Sequence, residues 1–472
     1  MSYRRGVTRR GFLTVAVSAI VAGVVAGVGA YYAGTLSAPV KEVTKTVTST
    51  TTLAAGAPYT STVTVTQPPI TVTKTETVTV TGTPKGVIPQ SIKFGVPLNL
   101  VGSEAANGVR AKVAFDMLAE KINGEGGVYV KEYGKRLPIE LIVVDGESDV
   151  SRFVELANKL ILDYKVNLML DCIHTPPFNL PVGALCEKNK LPAIIGSPNE
   201  VALDFAKSLP SGKFEYCWSM FFSIAGLVGA ILDLTNKYRN ETSGVVGLLF
   251  SEDPDGRTWY NIMGPAFESA GYKVVFPGFF PPGAKDFSGY IAKLKESHAD
   301  YLYTVCSPSD FLTFWQQAKM LGYKPKMVAG GRYIDMLYHL QMIGESAVGL
   351  ITQQFWSWDW PFPMNDWIRE TWPKKTDLEV SFIAGFAVSQ LLVAVDVVER
   401  AGTFDPEAIN RALAETDMMT PVGRVKFNEN HIATTPVTIS QAKLIEGKWV
   451  FDTIWAPPGF GIPTKPVIFP LP

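Results

Sequence analysis

From Ser91 onward, short continuous apolar runs alternate with stretches of helical periodicity, and the alternation begins again near residue 243. Ile92 to Leu98 reads as a strand, and Ala105 to Ile122 as a helix stopped by Asn123-Gly124. Ile139 to Val144 is a strand ending in Asp145, Ser151 to Leu162 a helix, and Val166 to Leu170 a strand. Pro181 to Glu187 then reads as a helix and Leu191 to Ile195 as a strand. The second series runs through strands at 243–250, 273–276, 301–305 and 326–329, with helices at 259–270, 290–296 and 312–321. Strands that are apolar on both faces must be covered on both faces, so the pattern predicts parallel sheets between helices. It therefore predicts two α/β lobes of similar size. The long helix Phe382 to Ala401 and the strand-like segments 422–427 and 437–444 are left to complete them. Open sheets of this kind bind ligands at the carboxyl ends of their strands, which makes the cleft between the lobes the expected site.

The chain ahead of the lobes is of a different kind. Arg4, Arg5, Arg9 and Arg10 precede a run from Gly11 to Val40 without a charged residue, long enough to cross a hydrocarbon layer as a helix. Thr8-Arg9-Arg10-Gly11-Phe12-Leu13 resembles a twin-arginine export signal, and basic residues keep the N-terminus on the cytoplasmic side. Residues 1–40 are thus expected to be a signal and membrane anchor, retained rather than cleaved, placing everything after them outside the cell. Residues 41–88 follow as a Thr/Val/Pro-rich stalk, more than half of it Thr or Val as far as Lys85. Alternating β-branched residues suit strands, but Pro58, Pro68, Pro69 and Pro84 argue for an extended spacer of the sort that archaeal surface proteins carry.

Composition removes several classes of function. The 43 basic and 44 acidic residues nearly cancel, leaving no electrostatic footprint for nucleic acid. The four cysteines form no CxxC pair and allow one optional bridge, and the four histidines show no metal-ligand spacing. No GxSxG elbow, phosphate loop or dinucleotide fingerprint is present. No cofactor, metal or catalytic residue is therefore expected, and the chain is read as a binding protein rather than an enzyme.

Several stretches, in order, carry a family resemblance. They are Ala111 to Gly127 (AKVAFDMLAEKINGEGG), Gly283 to Ser288 (GAKDFS) followed by Leu294, and Trp315 to Gly322 (WQQAKMLG). Gly385 to Gly402 and Thr420-Pro-Val-Gly423 with Val425-Lys-Phe427 complete the set. Together they resemble the extracellular solute-binding proteins of ABC importers, in the branched-chain amino acid binding family with the type I fold. The resemblance covers roughly Ser91 to Pro457. It implies two Rossmann-like lobes joined by three crossover strands, closing on a small amino acid-like solute and delivering it to permease and ATPase subunits. The lobes are expected at 89–221 with 350–423, and at 222–349 with 424–458, followed by a tail at 459–472. Crossovers are expected near 221–223, 349–352 and 421–426. The alternatives are the ligand-binding ectodomain of a sensory system and, behind it, a hydrolase.

The resemblance also directs attention to particular residues. Thr175, beside His174, lies where the family offers a hydroxyl to a ligand carboxylate, and Ser197 and Asn199 occupy a second such loop. Both loops precede helices, whose free amides and dipoles favour anions, although the same residues suit plain N-caps. Ser103 and Glu104 follow the first strand of the same lobe. On the second lobe the candidates are Glu252, Asp253 and Asp255, then Ser307, Ser309 and Asp310. Where an acidic residue would pair a ligand ammonium, the chain reads Ala329-Gly-Gly-Arg332-Tyr333. Either Asp255 or Asp310 takes over that task, or the ligand is not an α-amino acid, and Arg332 could meet a second carboxylate. Trp356, in the aromatic run 355–362, is either a wall of the cleft or interdomain packing.

Overall fold

The structure, a computed structural model, describes residues 45–51, 59–65, 76–80, 88–171 and 174–472. The chain divides into two units, Met1–Gly86 and Val87–Pro472. The expected signal and anchor over residues 1–40, and Cys172, lie outside the described residues. In the first unit the Thr/Val alternation forms strands. Lys45–Thr51 pairs antiparallel with Tyr59–Val65 and parallel with Glu76–Val80. The expectation of a spacer without strands is corrected to that extent, because the prolines fall outside these three segments and remove no ladder hydrogen bond from them.

The second unit contains two sheets. The first has six parallel strands in the order Ile432–Thr434, Cys217–Phe221, Ala193–Ile195, Leu168–Asp171, Ile92–Leu98 and Ile139–Asp145. The second has seven: Lys273–Val275, Val245–Phe250, Tyr301–Val305, Met327–Gly331 and Ile351–Gln354 run parallel, and the hairpin Thr438–Ile445 with Lys448–Trp455 closes one edge antiparallel. Each lobe uses the same device after its first strand. The helix after the first strand comes so close to the preceding loop that only glycine fits, since a Cβ on Gly108 would lie 1.9 Å from the Asn99 carbonyl and one on Gly256 2.2 Å from that of Ser251. Helix starts are capped by side chains, as with Asp149 on the Arg152 amide and Asp253 on the Gly256 amide. Phe382–Ala401 is, among the described residues, the helix apolar and long enough to span a membrane. It is 78% buried inside the molecule, packed on Ala105–Gly124, and serves as a core helix of the first lobe.

Sheet membership moves the expected lobe boundaries. Ile351–Gln354 belongs to the second sheet, and Ile432–Thr434 to the first. The exchanges between lobes therefore fall at 222–223, 355–364 and 435–437, instead of near 349–352 and 421–426 for the last two. Residues 417–426 form a hairpin, Asp417–Thr420 with Gly423–Lys426, turned by Gly423 at φ +101 and tied by Thr420 Oγ1 donating to the Gly423 carbonyl at 2.8 Å. The turn keeps the chain in the first lobe for one more strand. All three exchanges leave from the carboxyl ends of their strands, so those ends of both sheets border the junction. Aromatic rings fill it: Phe355 lies 4.9 Å from Phe221 and 4.5 Å from Phe222, with Phe382 at 5.2 Å. Glu200 of the first lobe accepts from Ser223 Oγ and from the Ile224 and Ala225 amides at 2.6, 2.8 and 3.0 Å, capping the first helix of the second lobe, Ile224–Lys237.

Candidate functional site

On the first lobe, the loop after Ile92–Leu98 is braced from behind. The Leu100 amide donates to Asp145 at 2.9 Å, Ser148 donates to the Val101 carbonyl at 2.7 Å, and the Glu104 amide donates to Ser148 Oγ at 3.0 Å. This leaves Val101 half exposed, Ser103 exposed, and Glu104 without an ion-pair partner among the described residues. Thr175 stands at the start of Pro176–Asn189 in the N-cap position, yet its hydroxyl caps nothing. It is exposed and lies 3.5 Å from Glu104 Oε1, so these two come together from separate loops.

His174 goes elsewhere. Its ring is buried, with Nδ1 at 2.8 Å from Asp171 Oδ1 and its edge toward Phe153 at 4.9 Å, and it faces the lobe's interior rather than the cleft. Burial pushes the Asp171 carboxyl up, opposed by the hydrogen bond to His174. Ser197 is fully buried with its hydroxyl unpartnered, and its carbonyl accepts from Ser219 at 3.1 Å. Asn199 serves the junction: its side-chain amide donates to Thr434 Oγ1 at 2.8 Å and its backbone amide to the Phe222 carbonyl at 3.0 Å.

On the second lobe most candidates are committed to one another. Ser307 caps Pro308–Met320 by accepting from the Asp310 amide, and donates to Asp310 Oδ2 at 2.8 Å. Asp310 Oδ1 accepts from the Gly283 amide at 2.9 Å, and the carboxylate is buried. Ser309 joins this closed group at 3.0 Å from Ser307. These residues hold a loop to a helix start, and neither Ser307 nor Asp310 presents a free group. Glu252 is paired with Arg257 at 2.7 Å.

Arg332 is the exception. It adopts φ +67, and its Nη1 reaches Asp253 at 3.2 Å and Asp255 at 3.0 Å while the side chain stays 41% exposed. Asp253 is held below its usual range: burial raises it, but the Gly256 amide, Ser251 and the Arg332 charge outweigh that. Burial leaves Asp255 raised in spite of Arg332. Two carboxylates share one guanidinium, so this corner carries a surplus negative charge, and Arg332 is already engaged when a ligand arrives.

Trp356 is packing. Its ring is buried against Gly385, where a Cβ would lie 2.4 Å away, and its indole donates to Asn365 at 2.8 Å. Sequence reasoning did not single out Asp171, Asn179 or Gln390. Asn179 donates to the carbonyls of His174 and Gly196, and Gln390 reaches the Asp171 carbonyl at 3.4 Å. Asp171 Oδ2, His174 Nε2, Asn179 Oδ1, Ser197 Oγ and Gln390 Oε1 are buried without a protein partner among the described residues. Their concentration behind two loops of one lobe makes this the polar part of its interior. A polar residue inside an otherwise apolar helix, as Gln390 is in FAVSQLLVAV, was the available signal. Among the described residues no group of acidic, His and Cys side chains could hold a metal ion.

Known proteins share this fold. A leucine-, isoleucine-, valine-, threonine- and alanine-binding protein of Pseudomonas aeruginosa is 23% identical over 346 residues, covering 72% of this chain and 86% of that one. The crystal structure of a leucine-binding protein from Thermotoga maritima matches with a TM-score of 0.64 at 21% identity, covering 78% of this chain and 99% of that one. An ABC-transporter solute-binding protein from R. palustris in complex with 4-hydroxybenzoate also matches with a TM-score of 0.64, at 19% identity, covering 78% and 96%. The family model described as periplasmic binding protein matches residues 91–448, and the chain belongs to that family.

Proposed function

We propose that the protein is the extracellular solute-binding component of an ABC importer, which takes up a small solute between its lobes and hands it unchanged to the permease. The observation that carries this reading is the difference in commitment at the strand ends bordering the junction. The first lobe offers the exposed hydroxyl of Thr175, which caps no helix and is suited to a carboxylate or carbonyl; the helix start adds no free amide, because Pro176 and Pro177 have none and the Phe178 and Asn179 amides donate to the Thr175 carbonyl. The second offers the surplus charge of Asp253 and Asp255 over Arg332, suited to an ammonium or another cation. Glu104, 3.5 Å from the Thr175 hydroxyl, opposes an anion there and favours a solute that brings a cationic group as well. A solute with a polar or anionic end and a cationic end fits both, and an amino acid is the simplest such molecule. A plain monocarboxylate would meet the second lobe unfavourably, because its one guanidinium is already shared.

The N-terminal forty residues would hold the protein at the outer face of the membrane, with permease and ATPase subunits as partners. Co-purification with those subunits tests this setting, and recovery with a signalling partner instead would favour the sensory reading. The binding claim is tested by a thermal-shift screen of the Val87–Pro472 unit against amino acids, their amides and small carboxylates. Ligand binding to the folded state raises Tm by mass action. Amino-bearing solutes should raise Tm, and their des-amino analogues should not. A screen in which only simple carboxylates act would overturn the assignment of Asp253 and Asp255.

A further inference from the structure

Behind the exposed Thr175 hydroxyl lies a set of side chains to which solute binding assigns no role. Asp171 ends its strand and meets His174 Nδ1 at 2.8 Å, both groups being buried. The imidazole packs on one side of a pair of rings, 4.9 Å from Phe153 and 6.2 Å from Phe178, which lie 5.2 Å from each other. Asn179, fully buried one turn into Pro176–Asn189, spends its two amide protons on two carbonyls, His174 at 2.6 Å and Gly196 at 2.8 Å. These carbonyls belong to different loops, one leading into Thr175 and the other into Ser197. A single side chain therefore couples the two loops that border the candidate site.

The atoms left over, Asp171 Oδ2, His174 Nε2, Asn179 Oδ1 and Ser197 Oγ, have no protein partner among the described residues. Apolar residues would fill this volume more stably, since a half-satisfied buried polar group is worse than none. The directional bonds are what polar residues supply here and apolar ones cannot: they fix where each loop sits. We propose that Asp171, His174 and Asn179 are positioning residues, the Asp171–His174 pair setting the loop that carries Thr175 and Asn179 making the Ser197 loop follow it. This rests on the solute-site reading above, but its test requires no solute, so the two can fail separately.

The test is hydrogen–deuterium exchange on the full chain, with the second lobe as internal reference. In Asn179→Ala the amides of segments 174–180 and 195–200 should both exchange about tenfold faster, the effect of losing a buried hydrogen bond, while Val245–Phe250 and Tyr301–Val305 stay unchanged. His174→Ala should loosen the same two segments. His174→Gln, whose amide can still donate to Asp171, should restore most of the protection. Asp171→Asn, which keeps an acceptor for Nδ1, provides a second variant should His174→Ala fail to fold, and it should stay near wild type. The proposal is overturned if the Ser197 segment keeps its protection in Asn179→Ala, if exchange rises equally throughout the first lobe, or if Gln at 174 behaves like Ala.

Discussion

The two lobes are built on one plan and finished differently. Both follow their first strand with a loop pressed against a glycine in the first turn of the next helix, although the second lobe places the helix Ile224–Lys237 ahead of that strand. At the strand ends, the second lobe closes Ser307 on Asp310 and Gly283, and sets one guanidinium, Arg332, against two carboxylates, Asp253 and Asp255, which leaves negative charge in surplus. The first lobe leaves the Thr175 hydroxyl exposed, capping no helix and touching Glu104 at 3.5 Å, with several buried polar atoms behind it that have no protein partner among the described residues. The lesson is that similar residue types at equivalent strand ends are not equivalent candidates. What distinguishes a group able to meet a solute from one holding a loop is whether its hydrogen-bonding capacity has been used.

The comparison can be broken most forcefully at Asp310. Asp310→Ala removes the acceptor for Gly283 and Ser307 in a buried setting, and should cost about 2–3 kcal/mol of stability, read from denaturant unfolding. Solute affinity of the folded fraction should hardly move; a selective loss of affinity would make Asp310 a ligand residue after all.

An acid titration gives the next largest effect and belongs to the first lobe. His431 stacks on Trp218 beside the outer strand, and burial lowers its imidazole to about 4, against the contact to the Cys217 carbonyl. The unfolded chain takes up the proton first, at about 6.5, so this contribution is complete above that pH and is lost as pH falls toward 4. The loss should reach on the order of 2 kcal/mol, allowing for screening of a partly exposed ring. His431→Phe keeps a stacking ring, and unfolding midpoints measured at pH 7 and pH 5 should then converge.

Thr175→Ala is the sharpest contrast to Asp310→Ala. Its hydroxyl caps no helix, so stability should change by less than about 0.5 kcal/mol, while affinity for a carboxylate-bearing solute falls by about 1–2 kcal/mol. Unchanged affinity with unchanged stability would remove Thr175 from the site. Asp255→Asn should have the smallest effect on folding of the second-lobe changes, because Asp253 remains on Arg332, and should weaken amino-bearing solutes more than amides without an amino group.

Many strands and helices of both lobes were legible because continuous apolar runs and helical periodicity differ, as in Tyr301–Val305 and Phe382–Ala401, although the helices Ile224–Lys237 and Asn365–Lys375 were not read from it. Elements whose signals are short or mixed escaped as well. Ile351–Gln354 reads ITQQ, polar at its end, and shows its strand nature only through pairing with Met327–Gly331 and Thr438–Ile445. Ile432–Thr434 has three residues and takes its place from parallel pairing with Ser219 to Phe221. Losing these two strands shifted two of the three expected exchanges between lobes. At the site, Thr175 was singled out through the family resemblance, and the direction of its neighbour His174 was not legible. A His next to that Thr turns inward because Asp171, three residues earlier, offers a buried acceptor and Phe153 and Phe178 offer rings. Tertiary partners of that kind leave no trace in local pattern. The same holds for Arg332, whose two aspartates lie more than seventy positions away in sequence.

The most direct measurement is a crystal structure of the Val87–Pro472 unit grown with the strongest amino-bearing solute from the thermal-shift screen. The account predicts intact solute density between the lobes, its polar end at Thr175 and its amino group within hydrogen-bonding distance of Asp255 or Asp253. Density seated away from those loops, or for a chemically altered molecule, would contradict it.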